Sequence, residues 1–210
     1  MDKLFYDLYG IGYMVNLERA VERRKRTSLN LNEQNIPFLC VSAVEGSTVT
    51  VPEGFRGSSE DIEHPTVRNE YACTLSHIKA IKEGLRSGAK RFCVFEDDIG
   101  FNEHFAMNLA RCYMEIPSDW RIVSFGATVQ GDTEPVSANV IRLGNIWGAW
   151  AYALTRKGAW AFYQTLVRTK TTVDGAMSMF NNYYRRTYGF TMPMIEHING
   201  YSYILNDTRE

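Results

Sequence analysis

The sequence predicts an α/β domain in which helices flank a mostly parallel, mixed central sheet. Strand, helix and strand patterns follow one another over residues 14–44, and that order favours a parallel pair. A short β-rich run at residues 91–95 (RFCVF) follows a helical repeat and reads as a buried central strand. Hydrophobic residues make up 45% of the 210 positions, enough for a single core without disulfide or metal staples.

Residues 14–17 read as the first strand, after an apolar, aromatic opening from Phe5 to Tyr13. Residues 18–34 are polar and charged, with apolar points at Val21, Leu29 and Leu31, and read as a helix. Asn35-Ile36-Pro37 ends it, because proline lacks an amide donor and restricts the residue before it. Residues 38–44 read as the second strand. Residues 45–70 are rich in Gly, Ser, Glu and Pro and form a long surface excursion that is expected to close over a ligand.

Ala72, Leu75, Ile78 and Ile81 recur at helical spacing, so residues 69–84 are a helix, broken at Ser87-Gly88. Residues 104–114 are a further helix, ended by Ile116-Pro117. Strands are expected at residues 121–125, 140–143, 147–154 and 190–194. Helices are expected at 155–166, with Thr155 as N-cap, and at 173–184. No composition shift divides the chain, which reads as one domain over residues 1–210.

Lys plus Arg is 23 and Asp plus Glu is 24, a balance that speaks against a nucleic-acid partner. Cys40, Cys73, Cys93 and Cys112 form no Cys-x-x-Cys pair and read as reduced thiols. No apolar run approaches the ~18–20 residues of a membrane span, and no charged head precedes an apolar stretch at the N-terminus. The expectation is therefore a cytoplasmic protein without a transmembrane segment, whose membrane contact, if any, is peripheral.

The sharpest chemical signal is Glu96-Asp97-Asp98, directly after RFCVF. Ligands of open α/β sheets sit beyond the carboxyl ends of the strands. Three adjacent carboxylates repel one another unless something positive offsets them, and a hard divalent cation bridging to phosphate is one such partner. Glu96, Asp98 and, later in the chain, His197 are the metal-ligand candidates, since imidazole suits Mn²⁺ better than Mg²⁺. Asp174 opens a helix and reads either as its N-cap or as a general base for an attacking hydroxyl.

The basic run Arg19 to Arg26 at a helix start suits phosphate, though such runs are commonly solvated faces. Trp147, Trp150 and Tyr152 offer flat faces for a sugar ring, or simply core. His77, mid-helix, fits either packing or substrate contact.

Taken in order, several segments resemble glycosyltransferase family 25, the lipooligosaccharide β-galactosyltransferases and collagen galactosyltransferases. They are Val15-Asn-Leu-Glu-Arg19 with Arg23-Arg24, Ile36-Pro-Phe38 and Val41-Ser-Ala-Val-Glu-Gly46. Asn69-Glu-Tyr-Ala-Cys-Thr-Leu-Ser-His77, Val94-Phe-Glu-Asp-Asp98, Gly148-Ala-Trp-Ala-Tyr152 with Lys157-Gly-Ala159, and Val173-Asp174 follow. Asn69 stands where the family usually has Gly.

The resemblance implies a GT-A-type nucleotide-binding sandwich that uses Mn²⁺ (or Mg²⁺) and a UDP-sugar, with UDP-galactose and UDP-glucose as the donors to consider. The acceptor would be a glycan, glycolipid or glycoprotein, as in lipopolysaccharide biosynthesis. Donor-binding candidates are then Asn16, Leu17, Arg19, Arg24, Ser76, His77 and Glu96. Asp98 would lie most directly on the metal, and Asp174 would be the base of an inverting transfer. Two other readings remain. A nucleotidyltransferase would want a Gly-rich phosphate loop after the first strand, whereas Gly10 and Gly12 precede it. A non-catalytic carbohydrate-binding domain would not need the acidic motif and Asp174 together.

Overall fold

The computed structural model describes residues 4–192, 194–198, 201–202, 204 and 207–208. The chain opens with α1 (Leu4–Tyr9), β1 (Ile11–Asn16), α2 (Val21–Glu33), β2 (Phe38–Ser42) and α3 (Pro65–Arg86). Next come β3 (Arg91–Glu96), β4 (Ile99–Phe101), α4 (Phe105–Cys112), β5 (Ile122–Gln130), β6 (Glu134–Pro135), β7 (Val140–Arg142) and β8 (Asn145–Thr155). The last part holds α5 (Arg156–Thr169), α6 (Val173–Tyr184), β9 (Thr187–Phe190), β10 (Ile195–His197), β11 (Tyr201–Ser202) and β12 (Asp207–Thr208).

Among the described residues, eight strands form one sheet in the order β2-β1-β3-β8-β5-β9-β7-β6. β1 pairs in parallel with β2 and β3, and β5 with β9. β8 runs antiparallel between β3 and β5, and β7 runs antiparallel to both β9 and β6. Only β7 and β8 therefore run against the common direction, so the mixed, mostly co-directional sheet agrees with the expectation.

Alternation along the strands divides the core into two layers. Tyr13, Val15, Phe92 and Val94 face one layer, which α3, α5 and α6 cover with Ala80, Ile81, Phe162, Leu166 and Phe180. Met14, Cys93 and Phe95 face the other, covered by Phe5, Leu31, Phe105 and Leu109 from α1, α2 and α4. The connection through α2 thus lies on one face and the return through α3 on the other. The chain direction reverses about β1, and the crevice between the carboxyl ends of β1 and β3 is the switch point at which such sheets bind ligands.

Several elements differ from their sequence expectation for identifiable reasons. The opening aromatics include a helix, α1, whose Phe5 and Tyr9 lie one turn apart and are both buried. Gly10 separates it from β1 at φ +79°, where an added Cβ would stand 2.2 Å from the Arg91 carbonyl oxygen. α2 ends at Glu33, and Asn35 takes the left-handed conformation at φ 55° that commonly follows a helix end.

α3 begins at Pro65, four residues before the expected start at Asn69, since proline suits a first helical position and His64 Nδ1 accepts from Thr66 N. The residue 190–194 strand is not formed as predicted. β9 ends at Phe190, Pro193 lies outside the described residues, and the next strand begins at Ile195. No described helix is long and apolar enough to cross a membrane.

Candidate active site

The switch-point crevice opens into a cavity of about 960 Å³. Asn16 and Leu17 come to it from the end of β1, Arg19 and Arg23 from the turn and helix that follow, and Glu96, Asp97 and Asp98 from the end of β3. α3 contributes Cys73, Ser76 and His77, α6 contributes Asp174, and β10 contributes His197. Of the metal, donor-binding and base candidates expected from sequence, all but Arg24 line this cavity. Arg24 is exposed on α2, whereas Arg23, one position earlier on the helix, turns inward.

Arg23 answers the electrostatic problem posed by the acidic triplet. Its Nη2 lies 2.6 Å from Asp97 Oδ1 and also ion-pairs with Asp98 Oδ2. Asn16 Nδ2 donates to Asp97 Oδ2 at 2.6 Å, and Thr27 Oγ1 donates to the Asp97 carbonyl at 2.6 Å. Asp97 is thus a structural carboxylate that joins β1, α2 and β3. Burial still pushes its pKa up to about 6, against the opposing pull of Arg23.

Asp98 moves the other way. Burial alone would raise its pKa, but the hydrogen bond from His197 and the Arg23 charge outweigh burial and hold it below the usual carboxylate range. His197 Nε2 lies 3.0 Å from Asp98 Oδ2. This contact spans 99 residues, and the small antiparallel pair of β4 and β10 creates it. His197 stands opposite Ile99, and Ile198 N donates to the Asp98 carbonyl at 2.7 Å. Asp98 Oδ1 is buried and has no hydrogen-bond partner among the described residues.

His77 is fully buried. Its Nδ1 is 2.9 Å from the Tyr152 hydroxyl, and its Nε2 approaches Glu96 Oε1 at 3.4 Å. Tyr152 is therefore core and not a sugar platform. The Ser76 hydroxyl is occupied by the backbone, accepting from Val44 N and donating to the Ala72 carbonyl. Arg19 ion-pairs with Glu45 at the cavity edge.

Asp174 is not the N-cap of α6. That role falls to Thr172, whose hydroxyl accepts from Gly175 N at 3.3 Å. The Asp174 carboxylate accepts instead from Gly148 N at 3.3 Å and Gly175 N at 2.9 Å. Asp174 and Trp147 also line a second cavity of about 300 Å³, together with Gln130, Asn145 and Ser178. Trp147 is 67% exposed, whereas Trp150 is held by Nε1 donation to the Ile195 carbonyl at 3.3 Å.

The residue 45–70 excursion is docked as part of the cavity wall. Val51, Phe55 and Val67 form their own small core, Arg56 N donates to the Lys170 carbonyl, and Thr171 Oγ1 donates to the Arg56 carbonyl. Arg56, Gly57 and Ser58 face the cavity as a result.

Sequence reasoning named Arg23 only as one of the basic run and singled out Arg24 instead, and it missed Cys73 as a site residue. For Cys73 the signal was present: it lies four positions before His77 on one helix, which puts both on one face.

Procollagen galactosyltransferase 2 of Mus musculus is 29% identical over 176 residues, covering 75% of this chain and 27% of the relative. The chain thus spans about a quarter of that relative's length. An inactive glycosyltransferase 25 family member 3, also of Mus musculus, is 26% identical over 164 residues, covering 70% of this chain and 27% of the relative. Among solved structures, Drosophila β-1,4-galactosyltransferase 7 in complex with manganese, UDP-Gal and xylobiose overlaps with a TM-score of 0.43. Its identity is 12%, and the overlap covers 95% of this chain and 75% of that one. Residues 11–177 match the sequence model of glycosyltransferase family 25, described as an LPS biosynthesis protein, and the chain belongs to that family.

Proposed function

We propose that this chain transfers a hexose from a UDP-sugar to a hydroxyl of a glycan, glycolipid or glycoprotein, with inversion at the anomeric carbon and with the aid of Mn²⁺ or Mg²⁺. The observation that carries the metal part is Asp98 Oδ1, a buried carboxylate oxygen in the wall of the switch-point cavity that has no hydrogen-bond partner among the described residues. A carboxylate oxygen is costly to bury unpaired, and a hard cation is the partner that suits it. Glu96, Asp98 and His197 are the residues that would hold that cation. When bound, it would supply positive charge for a departing diphosphate.

The rest of the chemistry belongs to the chain's own residues. Asn16, Leu17, Arg19 and Arg23 line the cavity where a nucleotide diphosphate would lie, and Arg56 adds a second cationic wall. The acceptor oxygen would form its bond to the anomeric carbon as the bond from that carbon to the diphosphate breaks. The hydroxyl proton would pass to the Asp174 carboxylate, and the diphosphate would leave with the bonding electrons. Two amide donors fix the orientation of Asp174 at the junction of the large cavity and the smaller one. That junction supports a donor in the first and an acceptor sugar in the second, resting on Trp147.

Four free cysteines suit a reducing, cytoplasmic setting, which is part of the same reading. An inactive relative keeps a second reading open, a domain that binds sugar nucleotide or glycan without turnover.

The test is a pair of variants. Asp98→Asn is expected to lose both metal-dependent UDP binding and transfer. Asp174→Asn is expected to bind UDP as the parent does and to lose transfer by at least a hundredfold. Equal loss of UDP binding in both would refute these roles.

A further inference from the structure

We propose that Cys73, His77 and Glu96 form a binding site for a borderline-soft divalent cation of the Zn²⁺ class, distinct from the hard-cation set of Glu96, Asp98 and His197 but sharing Glu96 with it. One ligand atom from each residue lies within 4.8 Å of the other two. Cys73 and His77 sit one helical turn apart on α3, so their side chains project together toward the end of β3. In a tetrahedral zinc site with bonds of about 2.0–2.3 Å, neighbouring donor atoms stand about 3.3–3.7 Å apart. His77 Nε2 and Glu96 Oε1, at 3.4 Å, already have that separation.

The independent observation is the state of His77. It is fully buried, and its Nε2 makes no hydrogen bond to any described residue although it faces Glu96 and the cavity. Its other nitrogen is fixed by the Tyr152 hydroxyl at 2.9 Å, with the two rings stacked at 5.8 Å between centroids. A metal-ligating histidine is held in this way, with one nitrogen on the ion and the other anchored by an outer partner. The fourth position of such a site opens into the cavity, leaving room for water or a substrate oxygen. Sulfur and imidazole donors select Zn²⁺ or Co²⁺ over Mg²⁺ and Mn²⁺.

Glu96 belongs to both ligand sets, so occupancy by Zn²⁺ would oppose occupancy by Mn²⁺. On the transferase reading, Zn²⁺ would act as an inhibitor. The site itself stands on geometry alone.

The experiment adds Co²⁺ to the full chain and records the near-ultraviolet absorption of a cobalt–thiolate bond, followed by titration with Zn²⁺. The proposal predicts a thiolate band at one equivalent that Zn²⁺ removes. The band is expected to vanish in Cys73→Ser and to persist in Asp98→Asn. Tyr152→Phe should keep the band and weaken Zn²⁺ affinity by about tenfold. Absence of the band from the parent chain, or full intensity in Cys73→Ser, would overturn the site. Circular dichroism of Cys73→Ser establishes that it is folded. UDP titration with Mn²⁺ reads the transferase proposal separately, because loss of the cobalt band leaves that result unchanged.

Discussion

Arg23 Nη2 lies 2.6 Å from Asp97 Oδ1, and this largely buried pair ties α2 to the acidic end of β3. The same guanidinium pairs with Asp98, so one cation balances two of three consecutive acids. Removing one partner of a buried ion pair strands the other, at a cost of about 3 kcal/mol. Arg23→Met is therefore expected to lower the melting temperature clearly in EDTA. Added Mn²⁺ should recover part of the loss, because a cation at Asp98 replaces some of the missing charge. A melting shift of equal size with and without Mn²⁺ would place the metal elsewhere.

Trp147 is 67% exposed and lines both cavities. If it carries the acceptor sugar, Trp147→Ala should raise the acceptor KM about tenfold, or ~1.4 kcal/mol. UDP affinity should stay within twofold of the parent. Steady-state kinetics in acceptor, with calorimetry of UDP, separates the two. A loss of UDP affinity with unchanged acceptor KM would move Trp147 to the donor side.

The α6 cap holds the proposed base in place. Thr172→Ala removes the hydroxyl that accepts from Gly175 N, and the expected cost is about 1 kcal/mol of stability. Asp174 shares that same amide, so kcat should fall further than KM changes. A variant with reduced stability and unchanged kcat would show that the cap does not position Asp174.

Away from the site, Glu115 joins the end of the α4 segment to the loop before β7. Asn139 Nδ2 donates to its Oε1 at 2.6 Å and Asn139 N to its Oε2 at 3.2 Å. Hydrogen bonds from Ser137 and Asn139 hold its carboxyl below the ordinary 4.5. A depressed carboxylate adds stability above its unfolded pKa and loses it as pH falls through the folded one. Glu115→Gln should therefore melt lower than the parent above the ordinary 4.5, and the two should converge as the pH falls below it. A constant difference across that range would mean that ionisation of Glu115 contributes nothing.

Much of this architecture was legible in the sequence because its signals are local. The apolar run at β3 and the helical repeat of α3 each reflect which side chains must be buried. Proline at 37 and the Thr155 cap marked boundaries through backbone chemistry. The gathering of Asn16, Glu96 and Asp98 around one cavity follows from placing their motifs at strand ends.

What was not legible depends on long-range pairing. Arg23, not Arg24, faces the acids because the phase of α2 against β3 decides it, and a basic run carries no such phase. Asp174 stays open between cap and base in the sequence, because Thr172, the actual cap, stands only two positions before it. His197 reaches Asp98 through a three-residue strand pair too short to leave a periodic signal. Cys73 and His77 meet Glu96 only once α3 is laid over β3.

The central claim is that this cavity binds a uridine diphosphate through a divalent cation. Calorimetric titration of UDP in Mn²⁺, repeated in EDTA and with CMP and GDP as controls, tests it most directly. The account predicts saturable binding of UDP in Mn²⁺, its loss in EDTA and in Asp98→Asn, and much weaker binding of the controls. No binding of any nucleotide in either condition would contradict it and leave a domain of the family's fold without a donor site.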